Sequence, residues 1–126
     1  MKLAIIGSKY YQPVERVDQY VSTLDKHWVI LVGGVKGVDN HAMQAANERG
    51  IAVEIIHPEW NKYDDKEAAY RRNRKLIERC NALVAFWDGK SKRTGWMIAE
   101  AARQDIPSRI FGAGKGSNYH RHYREK

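Results

Sequence analysis

The sequence predicts an α/β fold: a single Rossmann-like, doubly wound parallel sheet flanked by helices. Three features predict it. Short aliphatic and β-branched runs alternate with helix-patterned segments, the runs tend to end at glycine, and most joins between them are short. A chain of 126 residues fits one domain with one sheet.

Lys2 to Ile6 is an aliphatic run that stops at Gly7 and Ser8, the pattern of a buried strand entering a turn. From Pro13, which suits a first helical turn, Val14, Val17, Val21 and Leu24 recur on one helical face. Trp28 to Val32 is a second strand ending at Gly33 and Gly34. Helix formers around Ala42, Ala45 and Ala46 follow, and Gly50 closes that helix. Ile51 to Ile56 is a third strand, stopped by His57 and Pro58. After a polar stretch from Glu59 to Lys66, Glu67 to Arg79 is predicted as a helix with Ala69, Leu76, Ile77 and Cys80 on its buried side. Ala82 to Trp87 is a fourth strand, Asp88 to Arg93 a loop and Thr94 to Gln104 a helix. Pro107 introduces a short fifth strand through Ile110 and Phe111. The domain is therefore expected over 1–111. Residues 112–126 form a basic tail, expected to be flexible because Gly112, Gly114 and Gly116 lead it.

Composition narrows the function classes. Cys80 is the only cysteine, which excludes an internal disulfide and a cysteine-based zinc set and suits a reducing, cytoplasmic setting. No apolar run has the length of a signal-peptide core or a membrane span, so a soluble protein with no membrane partner is expected. The net charge of +7 favours anionic partners such as nucleotides, phosphorylated metabolites or nucleic acid. No cofactor and no metal site are expected: Glu59, Asp64, Asp65 and Glu67 share one loop without a second cluster, and His120 and His122 lie in the tail.

Two loops carry chemistry. Gly33-Gly34-Val35-Lys36-Gly37-Val38-Asp39 joins a strand to a helix, where backbone amides and the helix dipole converge on an anion and glycine permits close backbone approach. Its spacing is neither the dinucleotide fingerprint nor the P-loop, and a tight turn using glycine for geometry alone is the competing reading. Asp88-Gly89-Lys90-Ser91-Lys92-Arg93-Thr94 is a second such loop, with hydroxyls at Ser91 and Thr94, positive charge around them and Thr94 placed to cap the helix. A solvated basic turn is its competing reading. The two loops are expected to follow neighbouring strands and therefore to open onto one crevice, with Gly34, Gly37, Ser91 and Thr94 together and Arg72 beside them.

Together with Gly7-Ser8-Lys9, Trp60 with Tyr63, Arg72-Asn73 and Phe86-Trp87, these blocks resemble the SLOG superfamily. The likeness is greatest to its branch of small stand-alone proteins related to YspA and YpsA, distantly related to LOG phosphoribohydrolases and DprA. The resemblance implies binding of a nucleotide or nucleotide-derived small molecule through the glycine-rich loops. It places Gly7, Ser8, Lys9, Gly33, Gly34, Gly37, Asp39, Trp60, Arg72, Asn73, Asp88, Gly89, Ser91, Arg93 and Thr94 around the ligand, with Arg72 on phosphate or ribose oxygens. Trp60 and Tyr63 are candidates to stack a base. Two departures stand out. Arg93 occupies the position where the family usually has glycine before the threonine, and Met97 occupies the position of the glutamate that marks the hydrolase branch.

The expected function is accordingly to sense, carry or sequester the ligand without transforming it. An N-glycosidic or phosphoribosyl hydrolase, with Glu100 or Asp88 as acid or base, is the alternative. A nucleic-acid binder using the basic helix and tail is a third. A homo-oligomer, with a dimer through Trp28, Trp96 and Met97, is the expected assembly.

Overall fold

The computed structural model describes residues 1–114 and the backbone of 120–123. In chain order the elements are β1 (Lys2–Gly7), α1 (Glu15–Val21), β2 (Val29–Val32), α2 (Val38–Glu48), β3 (Ala52–Ile55), α3 (Asp65–Arg79), β4 (Ala82–Trp87), α4 (Lys92–Arg103), β5 (Ser108–Gly112) and β6 (His120–Tyr123). The sheet order is β3-β2-β1-β4-β5-β6. β1 to β5 are parallel, and β6 pairs antiparallel with β5. This is the α/β Rossmann-like architecture read from the sequence.

The strand alternation of period two explains the layers. Leu3 and Ile5 of β1 turn to one face, where Val17 and Val21 of α1 and Val38, Ala42, Ala45 and Ala46 of α2 complete one core. Ala4 and Ile6 turn to the other, against Leu76 and Ile77 of α3 and Met97, Ile98 and Ala101 of α4. Phe86 on β4 is fully buried, stacked on Phe111 at 5.0 Å and edge-on to Tyr11 at 5.4 Å. Burial of such a ring stabilises the fold by roughly 1.5–3 kcal/mol, and each aromatic pair adds about 0.5–1.5 kcal/mol.

Several local details differ from the sequence reading, each for a physical reason. α1 begins after Pro13, at Glu15, and ends at Val21, where the Ser22 and Thr23 hydroxyls bond back to the carbonyls of Gln19 and Tyr20 and unwind the last turn. α3 starts earlier, because Asp64 caps it by accepting from the Glu67 amide, and Ala68 rather than Ala69 enters the core. Ser91, not Thr94, caps α4, so the helix begins at Lys92. Met97 is wholly buried under the sheet and cannot serve a dimer interface; Trp96 packs on Tyr70 at 5.2 Å. Finally, β6 is a strand that the sequence reading did not contain. The side chains of His120 and His122 lie outside the described residues.

The chain runs β1-β2-β3 outward on one side of β1 and then crosses back to place β4 on the other. The gap between the carboxyl ends of β1 and β4 is therefore the topological switch point, where ligands of such sheets bind. β2 and β4, expected from the sequence to be neighbours, are separated by β1.

Candidate functional site

The loops after β1, β2 and β4 are knitted together at this edge. Ser8 is buried; its hydroxyl donates to Asp88 Oδ1 and accepts from the Asp88 amide, both at 3.1 Å. Asp88 Oδ1 also accepts from the amides of Lys90 and Ser91 at 2.8 and 2.9 Å, which folds the second loop around one carboxylate oxygen. Desolvation pushes the Asp88 carboxyl up, but these donors together outweigh it and hold the group below its ordinary range. Between the β1 and β2 loops the approach is equally close: a Cβ on Gly37, whose φ is +92°, would stand 2.7 Å from the Lys9 carbonyl oxygen.

Asp39, on the first turn of α2, reaches back to the β2 loop. Its Oδ2 accepts from the Gly33 and Val35 amides at 3.1 and 3.0 Å, so two of the expected anion donors are already satisfied within the loop. Burial pushes its carboxyl up, against those amides and the charges of Arg93 and Arg72. The amides of Gly34, Lys36 and Gly37 make no protein hydrogen bond among the described residues. They are the donors left for a ligand.

Two guanidinium groups meet above these loops. Arg72, only 6% exposed, donates from Nη1 to the Gly33 carbonyl at 2.6 Å and from Nε to Asn73 Oδ1 at 2.9 Å. Gly33 must be glycine to admit it, since a Cβ there would lie 2.7 Å from Nη1. Arg93 donates from Nη2 to the Gly7 carbonyl at 3.0 Å, across the switch point. Burial and then the Arg93 charge push the Arg72 pKa down, with Asp39 pulling the other way. Among the described residues no carboxylate comes within 4.0 Å of either group.

The basic face of α3 is the opposite case. Arg71 pairs with Glu67 at 2.8 Å, Arg74 with Glu78 at 3.6 Å, Lys75 with Glu59 at 3.2 Å and Arg79 with Glu54 at 3.5 Å. These four cations are paired locally, two with carboxylates of α3 itself, one with β3 and one with the loop before α3.

The remaining sequence-derived residues separate into groups. Lys9, Gly34 and Gly89 are exposed on the loops of this edge, and Trp60 is exposed in the connection between β3 and α3. Gly89 has φ +80° and open space where a Cβ would be. Tyr63 lies beneath the Arg71 guanidinium at 4.1 Å, which occupies the face that was expected to stack a base. Thr94 is wholly buried and its hydroxyl bonds Ser91 Oγ at 3.1 Å, so it supports the loop from behind. Glu100 is bound by Arg103, which donates from both Nε and Nη2, and by Gln104 at 2.7 Å, and the Arg103 contact holds its carboxyl below the ordinary range. Tyr10, which the sequence reading passed over, is 78% exposed directly after Ser8 and Lys9. Its position beside the first loop was the available signal.

No family model matches the chain, and no curated protein matches it. Solved structures share its fold. An X-ray structure of DNA processing protein A (DprA) from Streptococcus pneumoniae superposes with a TM-score of 0.73 at 17% identity, over 93% of this chain and 52% of that one. DprA from Helicobacter pylori, described for its single-stranded DNA binding mode, gives 0.67 at 22% identity over 94% and 67%. TM1055, a structural-genomics target, gives 0.65 at 20% identity over 85% and 71%. The chain thus spans about half to two thirds of the DprA chains. At these identities the likeness is one of fold alone, a Rossmann-like α/β fold.

Proposed function

We propose that the switch-point edge binds the phosphate of a nucleotide or nucleotide-derived small molecule and holds it without cleaving it. One observation carries this reading: Arg72 and Arg93 converge at the loop that bears the unpaired amides of Gly34, Lys36 and Gly37 with no carboxylate within 4.0 Å of either, while Arg71, Arg74, Lys75 and Arg79 of α3 each have an ion-pair partner. Two like charges side by side are unfavourable until an anion arrives, and a phosphate relieves that repulsion while accepting charge-assisted hydrogen bonds. Glycine at 33 leaves room for the Arg72 guanidinium, and glycine at 37 lets the first two loops close on one another.

Binding without hydrolysis follows from the acid groups at hand. Asp88 is consumed by three donors, Glu100 by Arg103 and Gln104, and Met97 fills the core. The donors on Asp88 and Glu100 hold both carboxyls ionised, which argues against either serving as a general acid. The test is a melting series against nucleoside mono-, di- and triphosphates, ribose 5-phosphate and inorganic phosphate, with chromatography of each compound afterwards. A ligand at about a hundred times its Kd should stabilise the fold by roughly 2.7 kcal/mol and be recovered intact. No stabilisation across the whole series contradicts the reading.

A further inference from the structure

We infer that Arg93, together with Arg72, makes this site select a terminal phosphate dianion, as in a nucleoside 5′-monophosphate, over the monoanionic diester of a cyclic nucleotide or a nucleic-acid backbone. The inference rests on the phosphate-binding reading above and adds the chemical class of the ligand.

The geometry begins with where the two side chains are anchored. Arg72 is held by the carbonyl of Gly33 and Arg93 by that of Gly7. These carbonyls end the neighbouring parallel strands β2 and β1, whose register pairs Ala4 with Leu31. Adjacent strands run about 4.8 Å apart, so the two guanidinium groups are anchored side by side rather than on opposite walls. Each spends part of its donor set on its anchor. Arg72 retains Nη2, and Arg93 retains Nε and Nη1, without a protein acceptor among the described residues. Arg72 is 6% exposed and tied at two points, so its remaining donor is fixed in direction.

Charge then decides the class of anion. Asp39 is the nearby carboxylate that acts on both arginines, and its Oδ2 already accepts from two amides. Two cations facing one committed carboxylate leave excess positive charge. A diester phosphate has one negative charge and two unsubstituted oxygens, which saturates one guanidinium. A monoester phosphate presents close to two charges and three free oxygens, enough to engage both guanidinium groups and still accept from a loop amide. With a small residue in place of Arg93 the second cation would be absent and the two anion classes would be nearly equivalent.

The experiment is a titration by calorimetry of the four nucleoside 5′-monophosphates, each paired with its 3′,5′-cyclic counterpart, against wild type, Arg93→Gln and Arg93→Lys. Losing a charge-assisted contact weakens binding by about ten- to a hundredfold. Wild type should therefore prefer the monoester of its best pair by at least about tenfold, and Arg93→Gln should bring the pair within a few-fold. Arg93→Lys keeps the charge and should keep most of the preference. Its retention separates charge selection from a packing role, since both variants lose the Arg93 fork. Equal affinity of wild type for monoester and cyclic forms, or a preference that survives Arg93→Gln, overturns the inference while leaving phosphate binding intact. Absence of binding by every nucleotide overturns the underlying reading as well.

Discussion

Ser8 and Asp88 bond each other reciprocally across the carboxyl ends of β1 and β4, each acting as donor and acceptor at 3.1 Å. The pair ties the two loops together at the switch point and fixes the loop that leads into α4, whose first turn carries Arg93. Asp88→Ala should cost about 1–3 kcal/mol, because the Lys90 and Ser91 amides lose their acceptor. Chemical denaturation at neutral pH measures it.

The same carboxylate sets a pH dependence. Because folding depresses the Asp88 pKa, its stabilisation is complete above the ordinary carboxyl value of 3.8 and is lost as pH falls through the lower folded value. Wild type should therefore melt well above Asp88→Asn at pH 7, with the gap narrowing toward pH 3. A gap independent of pH would mean that the Asp88 charge contributes nothing to the fold.

Two glycines with positive φ should respond differently to alanine. Gly89→Ala meets only backbone strain, about 1–2 kcal/mol, since nothing lies within 4 Å of the new Cβ. Gly37→Ala adds a collision with the Lys9 carbonyl at 2.7 Å, so it should lose more stability and also displace the Lys36 and Gly37 amides. Parallel denaturation of the two variants checks the order.

Glu100→Gln should leave any bound nucleotide as intact as wild type does, because Glu100 is occupied by Arg103 and Gln104. Chromatography after long incubation decides the point. Free base released by wild type and absent with Glu100→Gln would restore the hydrolase alternative.

The boundary at 111 from the sequence reading meets a local constraint. The Gly112 carbonyl accepts from the Tyr11 hydroxyl at 2.7 Å and from Arg16 at 2.6 Å, and the Gly114 carbonyl accepts from Arg16 at 3.0 Å. A chain ending at Gly114 should unfold cooperatively, whereas one ending at Phe111 should lose about 1–3 kcal/mol more through the lost contacts of Tyr11 and Arg16 with the Gly112 carbonyl. Loss of cooperativity in the longer of the two would make β6 integral to the domain.

Most of the sheet was legible because its signals are local. Leu3 to Ile6, Val29 to Val32 and Ala82 to Trp87 are apolar runs ending at turn formers, and alternation alone splits their side chains between two cores. β6 was not legible, since His120–Tyr123 carries no aliphatic pattern and owes its place to pairing with β5. At the site, the glycine loops were legible and their internal satisfaction was not. Nothing in the order of residues says that Asp39 would take the Gly33 and Val35 amides, or that Ser91 rather than Thr94 would cap α4. Arg72 stands in a run with Arg71, Arg74, Lys75 and Arg79, and only its burial separates it from its solvated neighbours. Arg93 read as a disturbance of a family pattern. Its contact with Gly7 depends on how α4 is seated over β4, the neighbour of β1, a tertiary fact.

The burial of Arg72 also changes how the phosphate site is best probed. Arg72→Ala would strip the Gly33 carbonyl and Asn73 of their partner and disturb the loop itself. The decisive measurement is therefore made on unaltered protein: a ¹H–¹⁵N correlation titration with the best-binding nucleotide, following the backbone amides and the arginine Nε signals. Shifts should concentrate at Gly34, Lys36 and Gly37 and at the Nε of Arg72 and Arg93, with Gly50 and the Nε of Arg71 and Arg74 unmoved. Shifts confined to Arg71, Arg74 and Lys75 on α3, or to the cleft around Lys26, Arg49 and Gly50 at the far end of the sheet, would place the ligand elsewhere and contradict the account.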